Sequence, residues 1–136
     1  MELEKVDHIT ADAVGEPGNR TFYIQARQAD VTVTVVVEKE QVQLLAASVL
    51  EVLSRTGHEA GPIPADADMD LVQPFEPLWR VGRLSIGYQE DTQMLMLEME
   101  EALPPESEQE PDTLKLWATA EQMLALYRHL DVCEER

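Results

Sequence analysis

Residues 31–37 read Val-Thr-Val-Thr-Val-Val-Val, and at Glu38 the spacing of apolar residues changes from two to three-and-four. That switch constrains the fold more than any other feature of the chain. Valine and threonine are stiff at χ1 and suit a pleated surface, so 31–37 reads as a strand with Val31, Val33, Val35 and Val37 on one face. Val42, Leu45, Ala46, Val49, Leu50 and Leu53 then recur at helical spacing, an amphipathic helix that stops at Gly57. Glu38 and Glu40 sit at the positive end of its dipole and Arg55 in its last turn.

Two strand candidates precede this unit. The first, at 6–13, ends in the turn signal Gly15-Glu-Pro-Gly-Asn19. The second, at 20–27, alternates, with Phe22, Ile24 and Ala26 opposite Tyr23, Gln25 and Arg27. A tight connection at 28–30 joins it to 31–37. Residues 58–78 hold four prolines, five acids and no base, and read as an ordered, irregular crossing loop. A hairpin follows, 79–88 and 93–99 around Glu90-Asp91. Val81 is out of phase with Leu84, Ile86 and Tyr88, which predicts a bulge near Gly82. Residues 94–99 are apolar on both faces, as a central strand would be. The acidic, proline-rich stretch 104–112 reads as a mobile loop, and 113–118 as a sixth strand. Thr119-Ala-Glu-Gln122 matches a capping box, with Met123, Leu126, Tyr127 and Leu130 as the inner stripe of a second helix.

The order is β-β-β-α, twice. The expected class is α+β, in two successive β-β-β-α units of mostly antiparallel sheet with both amphipathic helices packed on one face. The helix entrances Glu40-Gln41-Val42 and Glu121-Gln122-Met123 look alike, which suggests an internal duplication of 6–57 and 79–131 within a single domain, 1–136. A chain of 136 residues, 44% of them hydrophobic, has enough for one core and too little for two ordinary ones.

Charge excludes several function classes. Ten bases against 27 acids give a formal net charge of −17. The bases are scattered, and 84–114 has none beside nine acids. Binding to nucleic acid or to an anionic membrane needs clustered bases, so neither is expected. No apolar run reaches the ~20 residues of a membrane helix, and the N-terminus lacks the order of a signal peptide. The expected location is the cytoplasm.

Motifs for chemistry are few. Phosphate-binding glycine loops, HExxH and Gly-x-Ser-x-Gly are all missing. His8, His58 and His129 fall on separate elements, and Cys133 lies beside Glu134 and Glu135, which disfavour a thiolate. No metal and no cofactor is expected, and no catalytic residue is assigned. The segment 15–27 stands out. Gly15 and Gly18 form a turn whose backbone amides can face an anion, and Arg20, Tyr23, Gln25 and Arg27 follow on one strand. The competing reading pairs these arginines with Glu38, Glu98 or Glu100 on neighbouring strands. Trp79-Arg80 and Arg83 form a second, weaker group.

These residues carry a family resemblance. Gly15-x-Pro-Gly-x-Arg-Thr-Phe-Tyr-x-Gln-Ala-Arg27, Val37-Glu-Lys-Glu-Gln-Val42 and Phe75-x-x-x-Trp79-Arg-Val-Gly82 resemble the bacterial domain-of-unknown-function family 3090, over roughly residues 6–130. The resemblance implies a soluble intracellular protein, encoded near a histidine-phosphatase-like and a kinase-like protein. Members commonly end in a cysteine-rich ribbon of the Cys-Pro-x-Cys-Gly type that holds zinc. This chain ends Cys133-Glu-Glu-Arg136, so no zinc is expected, whether the member lacks the ribbon or the chain is truncated.

Three functions compete. A non-enzymatic interaction or scaffold domain, with another protein as partner, explains the missing catalytic groups and is the leading expectation. The alternative is a binder of, or enzyme acting on, an anionic, phosphorylated metabolite held by Arg20 and Arg27, with Glu38 or Glu98 as acid-base candidates. A third is an acidic mimic of nucleic acid.

Overall fold

The computed structural model describes residues 1–16, 18–57, 71–73 and 75–134. Seven strands and two helices run in the order β1 (Glu2–Leu3), β2 (His8–Val14), β3 (Thr21–Gln28), β4 (Val31–Val37), α1 (Lys39–Arg55), β5 (Val81–Gln89), β6 (Met94–Glu101), β7 (Thr113–Thr119) and α2 (Ala120–Glu134). The class is α+β, as the alternation of periods requires. The strands form two sheets, β2-β3-β4 and β1-β7-β6-β5. Strands consecutive within a sheet (β2–β3, β3–β4, β5–β6 and β6–β7) pair antiparallel, and β1 pairs parallel with β7.

Each sheet is built on alternation. Ile9, Ala11, Ile24, Ala26, Val33, Val35 and Val37 of the first sheet are buried, as are Leu95, Leu97, Met99, Leu114, Leu116 and Ala118 of the second. These faces, with Val42, Leu45 and Val49 of α1 and Met123 and Leu126 of α2, make one core. The helices pack against each other, α1 also against β5 and α2 against β2. Strand β6 is central, and the register slips between Val81 and Arg83, where the phase change predicts a bulge. A Cβ on Gly82 would lie 2.9 Å from the Ala102 Cα, so only glycine fits the bulge without backbone movement.

Several local expectations need correction. Leu50 is 41% exposed, so it stands outside the inner stripe of α1. The first strand begins at His8 because the Val6 N–H donates to the Trp117 carbonyl of the other sheet, 3.0 Å away. One residue later the Asp7 N–H donates to the Arg27 carbonyl at 2.8 Å. The chain changes sheets at that point, and the upstream piece supplies β1, a strand that no local pattern announces. Residues 79 and 80 belong to a similar junction. The Leu78 N–H donates to the Thr34 carbonyl, and the Val36 N–H to that of Trp79, before β5 begins. The tip of 58–78 lies outside the described residues, as do the Leu130 and Cys133 side chains and all of His58. The 104–112 connection is held at its base, where the Glu101 N–H donates to the Asp112 carbonyl and the Asp112 N–H to the Glu101 carboxylate.

The two sheets are therefore stitched at two places, and each stitch is held by a helix entrance. Gln122 accepts the Thr119 N–H at 2.9 Å, while the Thr119 hydroxyl oxygen accepts the Gln122 N–H, a reciprocal capping box. The same Gln122 side chain donates to the Val6 carbonyl at 2.8 Å, at the first crossing. Gln41 accepts the Glu38 N–H and donates to the Val81 carbonyl, both at 2.8 Å, at the second. The glutamine shared by the two entrances thus has one physical task at both crossings. Gln41→Ala and Gln122→Ala should each lower unfolding free energy by about 1–2 kcal/mol in urea titrations, from a lost cap and a lost crossing bond. Glu at either position keeps the cap acceptor and removes only the donor, so it should cost less than alanine. Equal losses would deny the caps any share.

Candidate functional site

The residues singled out in 15–27 divide into two groups. Gly15 and Gly18 take φ of +120° and +90° in the β2–β3 turn, and a Cβ on Gly15 would lie 2.6 Å from the Asn19 carbonyl oxygen. The turn thus requires glycine for its own geometry. Arg20 leaves this turn half-buried, whereas Arg27 sits near the far end of β3. About 23 Å of extended chain separates them, too far to grip one small anion together. Neither makes an ion pair with a described residue. Glu38 pairs instead with Arg80, and Glu98 with Lys115 at 3.6 Å.

Tyr23, Gln25 and Arg27 do share a face. By register they stand beside Asp12, Thr10 and His8 of β2 and beside Val36, Thr34 and Thr32 of β4. This outer face of the three-stranded sheet is polar, and its central row of Thr10, Gln25 and Thr34 is buried, each 2% exposed. Val72 and Phe75 pack over it. The Gln25 amide donates to the Thr34 hydroxyl at 3.1 Å and to the Val72 carbonyl at 3.2 Å, and its oxygen accepts the Val72 N–H at 2.7 Å. Phe75 meets the Tyr23 ring edge-on, centroids 4.8 Å apart. Gln25 is thus committed to holding the crossing segment. Asp12 lies 3.7 Å from the Nε2 of His129 on α2.

A different feature remains open. Strand β5 ends the four-stranded sheet, and no described strand pairs with its outer edge. Leu84, Ile86 and Tyr88 pair with the fully buried Met99, Leu97 and Leu95, yet each is only half-buried, with no described strand beyond β5. Helix α1 flanks this edge, tied to it where Gln41 bonds Val81. One turn on from Gln41, Leu44 is 55% exposed. Pattern reading placed Leu84, Ile86 and Tyr88 on a common face and made no statement about the strand's outer edge. A signal was available. The stretch Leu84-Ser-Ile-Gly-Tyr-Gln89 has no charged residue in a chain that is 27% charged.

No group of three or more His, Cys, Asp or Glu positioned for a metal ion occurs among the described residues. No described helix is long and apolar enough to cross a membrane. Fold and surface together define an acidic α+β protein of two stitched sheets, with β5 at one end of the larger sheet and no described strand beyond it. The chain belongs to the family described as protein of unknown function (DUF3090), whose model matches residues 1–133. No curated protein and no solved structure matches it.

Proposed function

We propose that this protein is a cytoplasmic, non-catalytic interaction domain whose partner is another protein. One observation carries the reading: β5 stands at the end of its sheet with no described strand beyond it, as six uncharged residues with a half-buried apolar row. Stable soluble proteins guard such edges with charges, proline or short strands, because an open ladder is a template for another chain. The remaining strands at the ends of the two sheets are managed. β1 has two residues, α2 packs against β2, and β4 is bonded by 78–80. A photo-crosslinking residue at Ser85, in the cells that make the protein, should give a discrete protein adduct. The same probe at Glu108, in the 104–112 connection, should give none. Adducts of equal yield from both positions would defeat the reading.

A second reading rests on Arg20 and Arg27, which make no ion pair with a described residue in a chain of 27 acids. It makes the protein a binder of an anionic small molecule at one of the two, with Arg27 beside His8. A thermal-shift screen with nucleotides, sugar phosphates and dicarboxylates decides between them. The interaction reading expects no rise beyond about 1 °C. A ligand at ~100 times its dissociation constant would add about 2.7 kcal/mol, several degrees, and loss of that rise in Arg27→Ala or Arg20→Ala would establish the metabolite site.

A further inference from the structure

We infer that the exposed face of α1 pairs antiparallel with the same face of a second copy of this chain, about a two-fold axis at Ala47. The inference concerns a surface apart from β5 and does not depend on the interaction reading above. It starts from two leucines that the core does not use. Leu44 and Leu50 are 55% and 41% exposed, and α1 is the one helix or strand among the described residues that carries two such large apolar side chains. They lie three residues either side of Ala47, which is exposed as well. The three form one stripe outside the buried set of Val42, Leu45, Ala46, Val49 and Leu53.

Two observations select a second copy as the occupant. The first is the order of residues along the helix. An antiparallel copy turned about Ala47 sets Leu44 level with Leu50 of the second copy, Leu50 level with its Leu44, and alanine against alanine, where the small side chain lets the two backbones approach. The second is charge. The chain carries −17, yet this face holds Lys39 and Glu40 at one end and Glu51 and Arg55 at the other, all exposed and two of each sign. Antiparallel pairing brings Glu40 beside Arg55 of the second copy at both ends of the interface. Glu40 makes no ion pair with a described residue and Arg55 is held by Glu51 at 2.5 Å, so an entering Glu40 completes a three-membered cluster. A parallel copy would set Glu40 against Glu40 and Arg55 against Arg55, and a basic partner finds no net charge here to attract it. A helix of 17 residues is about 25 Å long and 10 Å wide, a footprint well below the ~800 Å² per partner of a standard interface. Repulsion between two chains of −17 opposes pairing further, so the dimer is weak and strengthens as salt screens it.

Sedimentation equilibrium of the full chain should show a monomer–dimer equilibrium with a dissociation constant of about 10–500 µM, tighter in ~0.5 M than in ~0.05 M sodium chloride. Ala47→Glu sets two carboxylates at the axis and should raise that constant by about 30-fold or more, with little change in the urea unfolding midpoint because the position is exposed. Glu40→Arg and Arg55→Glu should each weaken pairing by about 3- to 10-fold, and the double variant should regain most of it. In a Cys133→Ser background, Ala47→Cys should oxidise to a disulfide-linked dimer. Ser54→Cys should not, since seven residues of helix on each side put the two positions about 21 Å apart along the axis. The proposal falls if the chain stays monomeric up to about 1 mM, which would be a free energy of pairing too small to matter. It falls equally if a dimer forms that Ala47→Glu leaves intact, or if Ser54→Cys links as readily as Ala47→Cys, as a parallel pair would. The Ser85 crosslink reads the β5 surface alone, so its failure leaves these outcomes unchanged.

Discussion

Leu97→Ala should lower the free energy of unfolding by about 3–4 kcal/mol, the largest loss expected from any single truncation in this chain. Leu97 lies at the middle of β6, the central strand of the four-stranded sheet, and is 1% exposed. Its cross-strand neighbours are Ile86 of β5 and Leu116 of β7, and its strand mates Leu95 and Met99 are fully buried. Such a site cannot collapse around a smaller side chain without moving three hydrogen-bonded strands, so the cavity term adds to the lost transfer energy. Domains of this size are stable by only about 5–15 kcal/mol, so the variant should unfold at a markedly lower urea midpoint with an unchanged slope. A loss below about 1.5 kcal/mol would mean that the surrounding strands can close over the gap.

Gln25→Leu should cost about 2–3 kcal/mol even though leucine is of similar size and apolar. The loss arises in what is left behind. The Val72 N–H and carbonyl and the Thr34 hydroxyl all bond the Gln25 amide, and leucine satisfies none of them. Gln25→Glu keeps the acceptor for the Val72 N–H but places a carboxylate beside the Val72 carbonyl at a position only 2% exposed. It should be at least as damaging above pH 7 and partly rescued in acid, where the protonated carboxyl can donate to that carbonyl. Urea titrations at two pH values read both effects. A Gln25→Leu variant as stable as the parent would show that Val72 and Phe75 are held by the Tyr23–Phe75 contact without help from Gln25.

Most of the secondary structure was legible because it is local. The alternation of 20–27 and 31–37, the period switch at Glu38, the bulge at Gly82 and the capping box at Thr119 each depend on residues within a few positions of one another. Leu50 misled because helical spacing cannot tell the edge of an apolar stripe from its centre. The candidate site was legible only in part. Tyr23, Gln25 and Arg27 do share a face, as strand alternation dictates, but Gln25 is taken up by Val72, 47 residues further along the chain. Local spacing carries no information about such a partner. The same limit hid β1, whose two residues pair with Lys115 and Leu116 of β7.

Family membership, the α+β class and the acidic surface are properties of the residues and their order, because each depends on composition or on short-range periodicity. The placement of chain segments relative to one another does not. Tertiary structure alone decided that two sheets form, that Gln41 and Gln122 hold the crossings between them, and that the polar face of β3 is covered while no described strand lies beyond β5. Each of these is set by hydrogen bonds and packing between residues tens of positions apart, where loop closure and core shape choose among arrangements that the local pattern leaves equal.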